Sequence, residues 1–370
     1  MENEKLKIVF VHLGNAPAEH LWANIGTLIK KFVNIEIVLV SDLERSELVS
    51  HPRIEFFKYI RPDAYRELLS ELNFEFKFRS GFWQYTLERI LALDQYHQSF
   101  PQKKIMHLES DVLLLDDFPF QIFEQQTRMS WLSVDENRDV ATFIYLPHSQ
   151  ATKKLSEGLL DQLSIDPTLT DMKFLKGFRL KNPTDVLLAP SLSLEIATHL
   201  VSNSEMDPKV GSELSSGSKI FGGIFDPAAI GMWLTGSDPR NYYGSRKVFD
   251  TREILNGGTY INPGMFEYRL SETEELYVSI NNAESRVWCL HIHSKDLRLF
   301  GNSSMTRLKD LIALSKTGEV HSEFDLKCLW GLLKENFING TMIGFILHHP
   351  KLKWLKSSLV LIRGTIRRVK

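Results

Sequence analysis

A chain of 370 residues, 43% hydrophobic and 24% charged, can build one large domain or two smaller ones, and this balance excludes a disordered protein. With 44 basic residues against 46 acidic ones the net charge is −2, so nothing global calls for nucleic acid. Two cysteines, Cys289 and Cys328, are too few for a disulfide framework and show no metal-ligand spacing, which points to a reducing, intracellular setting.

The opening MENEKLKIVFVHLG lacks the basic start and long apolar core of a signal peptide, and no run of 18 apolar residues marks a membrane span. A cytoplasmic protein is expected. Residues 7–13 form an apolar β-rich run closed by Gly14. The segment HLWANIGTLIKKF repeats its apolar residues every three to four positions, a helix, and IEIVLVSD (35–42) is a second buried strand ending at Asp42. Strand, helix, strand with short connections begins a parallel, helix-covered sheet. RIEFFKYI (53–60) reads as a further strand, PDAYRELLSEL (62–72) as a capped helix and FWQYTLERILALDQYHQSF (82–100) as a strong amphipathic helix.

KKIMHLESDVLLLDDF (103–118) follows, an apolar strand interrupted by Glu109, Ser110 and Asp111. Two carboxylates two residues apart share one face of an extended strand. There they repel unless a proton or cation lies between them, and oxygen ligands suit Mg2+ or Mn2+. A bland alternative is a strand end that exits into solvent. MSWLSV and ATFIYLP read as strands, and residues 151–200 as short helical pieces broken by prolines. Residues 203–219, polar and rich in Gly and Ser, read as a mobile loop. Asp226–Pro227 before AAIGMW reads as a helix N-cap with proline at the first position, and Asp238 opens a turn. CLHIHSKDL is a late strand with His291 and His293 on one face.

These stretches resemble the GT-A-fold glycosyltransferases. HLESDVLLL is similar to the acid-x-acid element that holds a divalent metal against the donor diphosphate, and an Arg about twenty residues upstream is similar to the glycogenin-like branch. The resemblance covers roughly residues 6–300. It implies a GT-A, Rossmann-like α/β fold: a mixed, mainly parallel sheet flanked by helices, with a C-terminal helical appendage. It implies a catalytic domain over 1–320 (a nucleotide-binding half 1–117, an acceptor half 118–320) and a basic extension over 321–370. The implied activity is transfer of a sugar from a nucleotide-sugar donor to a hydroxyl of a glycan or lipid-linked glycan, in bacterial surface glycan synthesis.

By the same resemblance, Mn2+ or Mg2+ is held by Asp111, Glu109 and a histidine, His293 favoured over His291. The motif here is Glu-Ser-Asp, so Glu109 also has the alternative of binding ribose or a metal-bound water. Gly14, Asp42, Arg89, Glu109, Ser110 and Lys295 are the implied donor-binding residues; the plain alternative for Arg89 is pairing with Glu88 or Asp94 on its own helix. Asp226, with Asp238 in reserve, is the candidate base for an inverting reaction. The competing classes are a metal-dependent phosphohydrolase or nucleotidyltransferase and a non-catalytic carbohydrate-binding protein. Residues 351–370 carry seven Lys or Arg, no acid and interleaved apolar residues, which suits a peripheral contact with the inner face of a membrane or a solvated helix packed by one face.

Overall fold

The computed structural model describes residues 6–14, 16–71, 81–236, 261–301 and 304–317, and every structural statement concerns these. Its first half runs β1 (Lys7–His12), α1 (Glu19–Lys31), β2 (Glu36–Ser41), β3 (Ile54–Lys58), α2 (Asp63–Glu71), α3 (Phe82–Ser99), β4 (Ile105–Leu108) and β5 (Val112–Leu114). There follow α4 (Phe120–Gln125), β6 (Met129–Ser133), β7 (Asp139–Leu146), α5 (Ser149–Leu163), α6 (Asp171–Lys181), β8 (Val186–Ala189) and α7 (Leu194–Ser202). The remainder is α8 (Pro208–Leu214), α9 (Ser218–Phe221), α10 (Ala229–Thr235), β9 (Glu267–Leu270), β10 (Leu276–Ile280), β11 (Ala283–Arg286), β12 (Cys289–His291) and α11 (Ser304–Thr317).

Seven strands form the central sheet in the order β3-β2-β1-β4-β7-β6-β8. All neighbours are parallel except β7, which runs antiparallel between β4 and β6. Both faces are covered, which is why β1 and β2 read as continuous apolar runs rather than alternating ones. Ile8, Phe10, Ile37 and Leu39 pack with Leu21, Ile25 and Leu28 of α1. Val9, Val38 and Val40 point the other way, into a cluster with Leu87 and Ile90 of α3 and Leu155 and Phe174 of α5 and α6. This is the mixed, mainly parallel, helix-flanked Rossmann-like sheet expected from the sequence.

A third cluster lies beside that sheet. Its residues come from α7, α8 and α10, from the small antiparallel sheet β11-β10-β9, and from Leu308, Leu311 and Ile312 of α11. No helix among the described residues is long and apolar enough to cross a membrane.

Two expectations are corrected. The acidic segment is not one strand: β4 ends at Leu108, residues 109–111 turn, and β5 leaves the central sheet to pair antiparallel with β12. Residues 203–219 are not an irregular loop, because Asp207 caps α8 by accepting from Lys209 N and Val210 N, with Pro208 at the first position, and α9 follows. Strand β8 was not foreseen within 151–200. Asp238, Cys328 and the expected helical extension over 321–370, with its basic stretch 351–370, lie outside the described residues.

Candidate active site

In an open parallel sheet, ligands bind beyond the carboxyl ends of the strands where the winding direction reverses. Here that point falls between β1 and β4, since the chain moves from β1 outward to β2 and β3 and then returns to β4 on the other side. A cavity of about 560 Å³ opens there. His12 and Leu13 line it from the end of β1, His20 from α1, Trp83, Tyr85 and Arg89 from α3, Glu109, Ser110 and Asp111 from the turn after β4, Asp171 from α6, and His291, His293 and Lys295 from β12 and its sequel.

The acidic turn is held from behind. Asn24 is fully buried on the apolar face of α1, and its amide donates to the main-chain oxygens of Ser110 (3.1 Å) and Val112 (2.8 Å). His20 Nε2 lies 3.1 Å from Ser110 Oγ. The ion pairs of Arg89 lie outside its own helix, not with Glu88 or Asp94. Its Nη1 donates to Glu109 Oε1 at 2.6 Å, its Nη2 to Asp171 Oδ2, and its Nε to Thr86 O at 2.9 Å. Glu88 pairs instead with Arg61. Behind Arg89, burial first and the nearby guanidinium second push the His107 imidazole down to about 3, so it stays neutral and donates Nδ1–H to Val9 O at 3.0 Å.

Glu109, Asp111 and His291 each offer one ligand atom, all within 4.8 Å of one another, and no other such group occurs among the described residues. His291 Nε2 lies 3.4 Å from Asp111 Oδ1 and 3.5 Å from Glu109 Oε2. Lys295 Nζ meets the other Asp111 oxygen at 2.5 Å. Burial alone would raise the Asp111 carboxyl, but Lys295 and His291 outweigh it and hold the group well below the usual carboxylate range. The same burial would lower His291, yet the Asp111 and Glu109 charges pull its pKa up. Two carboxylates and an imidazole form a donor set that fits Mn2+ better than Mg2+.

The sequence favoured His293; the structure brings His291 to the acids. Strand β12 ends at His291, and His293 N then turns back onto His291 O (3.0 Å). Alternation along a strand therefore does not reach His293, whose ring lies against that of His291 at 4.7 Å between centroids. Lys295 is placed by a further turn, its N donating to Ile292 O, with φ at +55°.

Asp226 is corrected more sharply. It is fully buried, does not line the cavity, and its carboxylate accepts three backbone N–H groups: Ile230 (2.8 Å), Gly231 (2.6 Å) and His291 (3.0 Å). A base must reach the proton it removes, and this carboxylate faces only main chain. The expected N-cap is also corrected: α10 begins at Ala229 with Ala228 at the cap position and Pro227 before it, and Asp226 reaches the first-turn N–H groups from outside the helix.

Gly14 and Asp42 come together, Gly14 N donating to Asp42 Oδ1 at 2.9 Å. Gly14 has φ +88°, and a Cβ there would lie 2.6 Å from the Tyr85 ring, so the loop after β1 needs glycine to admit that ring. Asp42 does not line the cavity. Sequence reasoning missed Asp171, Asn24, Trp83 and Tyr85. The signal for Asn24 was a polar residue on the apolar stripe of α1; Asp171, in the first turn of α6 after the capping Thr170, carried no local signal.

No family model and no curated protein matches the chain. Solved structures with some likeness include a galactosyltransferase, LgtC, in complex with donor and acceptor sugar analogs, at 14% identity and a TM-score of 0.39, covering 56% of this chain and 83% of that one. An active-site mutant of LgtC gives the same identity and TM-score, covering 56% of this chain and 82% of that one. The apo form of the glycosyltransferase GlyE from Streptococcus pneumoniae TIGR4 has 9% identity and a TM-score of 0.36 over 54% of this chain and 50% of that one. Likeness at this level leaves the chemistry to be read from the side chains themselves.

Proposed function

We propose that the protein is a metal-dependent glycosyltransferase that moves a sugar from a nucleoside diphosphate donor to a hydroxyl acceptor. The observation that carries this reading is the convergence of Glu109, Asp111 and His291 on one cavity at the switch point of the sheet, flanked by Arg89 and Lys295. Glu109, Asp111 and His291 would hold Mn2+ or Mg2+, which when bound supplies Lewis-acid neutralisation of a diphosphate leaving group. Lys295 adds a fixed positive charge toward the same phosphates. Arg89 holds Glu109 against Asp171, so it acts on the donor chiefly by fixing that carboxylate. Gly14 admits the Tyr85 ring to the cavity wall, so its part in donor binding runs through that ring, with Asp42 bracing the loop and Ser110 at the cavity wall.

An inverting reaction needs a base, and Asp238 takes that place in the proposal now that Asp226 faces only main chain. The acceptor remains a glycan or lipid-linked glycan of a bacterial surface, reached from the cytoplasmic face, with residues 351–370 as the membrane contact. Vesicle co-sedimentation of the full chain against one ending at residue 350 tests that contact; equal binding by both ends it.

A thermal-shift panel of nucleotides and nucleotide sugars, with and without Mn2+, tests the activity. The expected result is a donor-specific shift that requires the metal, followed by slow release of sugar. Release of phosphate or pyrophosphate from a plain nucleotide would instead make the protein a phosphohydrolase or nucleotidyltransferase. Silence across the panel would make it a binding protein.

A further inference from the structure

We propose that Thr142 and Asp226 are positioning residues that fix the tautomer and the place of His291, so that its Nε2 is the atom offered to a divalent cation. This rests on the metal reading above and deepens it. Thr142 is fully buried on β7, with Oγ1 3.3 Å from His291 Nδ1 and 3.4 Å from the main-chain oxygen of Asp226. A carbonyl oxygen only accepts, so the Thr142 hydroxyl proton goes to Asp226, and the hydroxyl lone pair is left to accept Nδ1–H. With its proton on Nδ1, the neutral ring keeps its lone pair on Nε2, which faces Asp111 and Glu109. Both contacts are long for hydroxyl hydrogen bonds; their contribution is orientation more than strength.

The main chain of the histidine is clamped by the same residue. Asp226 Oδ2 accepts both His291 N and Gly231 N, and Oδ1 accepts Ile230 N, tying the first turn of α10 to β12. The two elements touch so closely that a Cβ on Gly231 would lie 2.1 Å from His291 O. Ala228, at φ +92°, takes a left-handed conformation just before α10, a strained choice for a residue with a Cβ. Thus one buried aspartate sets the backbone of His291 through its carboxylate, and sets the ring through its carbonyl and Thr142. Partners behind a ligating histidine commonly change metal affinity by about 10–100-fold.

The test is Mn2+ binding to the full chain, with the metal alone as probe, read as loss of the free-ion EPR signal and as imidazole-nitrogen modulation in pulsed EPR. Wild type and Thr142→Ser should show nitrogen modulation and equal affinity. Thr142→Val, nearly isosteric but unable to accept Nδ1–H, should bind at least about tenfold more weakly with diminished nitrogen modulation, while circular dichroism stays at wild-type values. Should Thr142→Val fail to fold, Thr142→Ala carries the same readings. A folded Thr142→Val with wild-type affinity and modulation overturns this inference and leaves the metal site standing. Wild-type protein that shows no nitrogen modulation overturns both.

Discussion

Helix α6 serves two buried ionic clusters, one at each end, and they are built differently. Toward its C-terminal half, Lys176 and Arg179 meet Asp139 and Glu213: Arg179 is 2.7 Å from Asp139 and 2.9 Å from Glu213, and Lys176 is 2.6 Å from Glu213. Trp131 Nε1 and the Ser133 hydroxyl supply further donors. Two acids face two cations, and the cluster is closed. At the N-terminus of the same helix, Asp171 shares Arg89 with Glu109, while Lys295 holds Asp111. Among the described residues of this second cluster, three acids face two cations beside an open cavity of about 560 Å³. The shortage is felt by His291, whose pKa is drawn upward against its burial by Asp111 and Glu109, with Asp226 behind. A balanced buried cluster holds a fold together; a cluster short of one positive charge, open to a cavity, is fitted to receive a cation.

Four measurements press on this contrast. Asp139→Asn breaks the closed cluster inside the protein and should cost about 3–5 kcal/mol in chemical denaturation, with the activity of each folded molecule unchanged. Asp111→Asn should bear on activity instead, transfer falling on the order of 10³-fold in kcat/KM, about 4 kcal/mol of transition-state stabilisation, beside the stability lost when Lys295 and His291 give up their carboxylate partner. An Asp111→Asn protein with full metal-dependent activity would remove Asp111 from the site.

Glu109→Gln tests the charge count itself. It leaves Arg89 with Asp171 and Lys295 with Asp111, a balanced set, so stability should fall less than in Asp139→Asn while Mn2+ affinity drops at least about tenfold. A loss of several kcal/mol there would mean that Glu109 was already fully compensated.

The smallest effect concerns pH. Burial would raise the Glu213 carboxyl, but Lys176, Ser133 and Arg179 outweigh it and lower its pKa. The unfolded chain then binds this proton first, so the contribution of Glu213 is complete above its unfolded value of about 4.3 and is lost as pH falls through the lower folded value. Melting temperatures measured between pH 6 and pH 3 should therefore fall less steeply for Glu213→Gln than for wild type. Parallel curves would contradict the closed-cluster description.

Much of this was legible in the chain because the sheet is covered on both faces. Continuous apolar runs at β1 and β2 fix strands regardless of partners, and the 3.6-residue pattern fixes α1. Glu109 and Asp111 stood out as acids embedded in apolar sequence. Their turn did not, because three polar residues between two short strands look like one interrupted strand; the break exists because β5 pairs with β12, far along the chain. The choice of His291 over His293 depends on where β12 stops, which its neighbours in space decide. Asp226 looked catalytic because a capping carboxylate is indistinguishable in sequence from an exposed one. In residues 203–219 the composition suggested a loop, although Asp207–Pro208 was already a helix-start signal.

Anomalous diffraction at the manganese edge, from crystals grown with Mn2+ and a nucleoside diphosphate, addresses the central claim directly. A peak about 2.0–2.3 Å from a carboxylate oxygen of Asp111 and from His291 Nε2, with phosphate oxygens completing the shell, is the predicted result. A manganese peak bound elsewhere, with Asp111 still held by Lys295 and His291 alone, would contradict it.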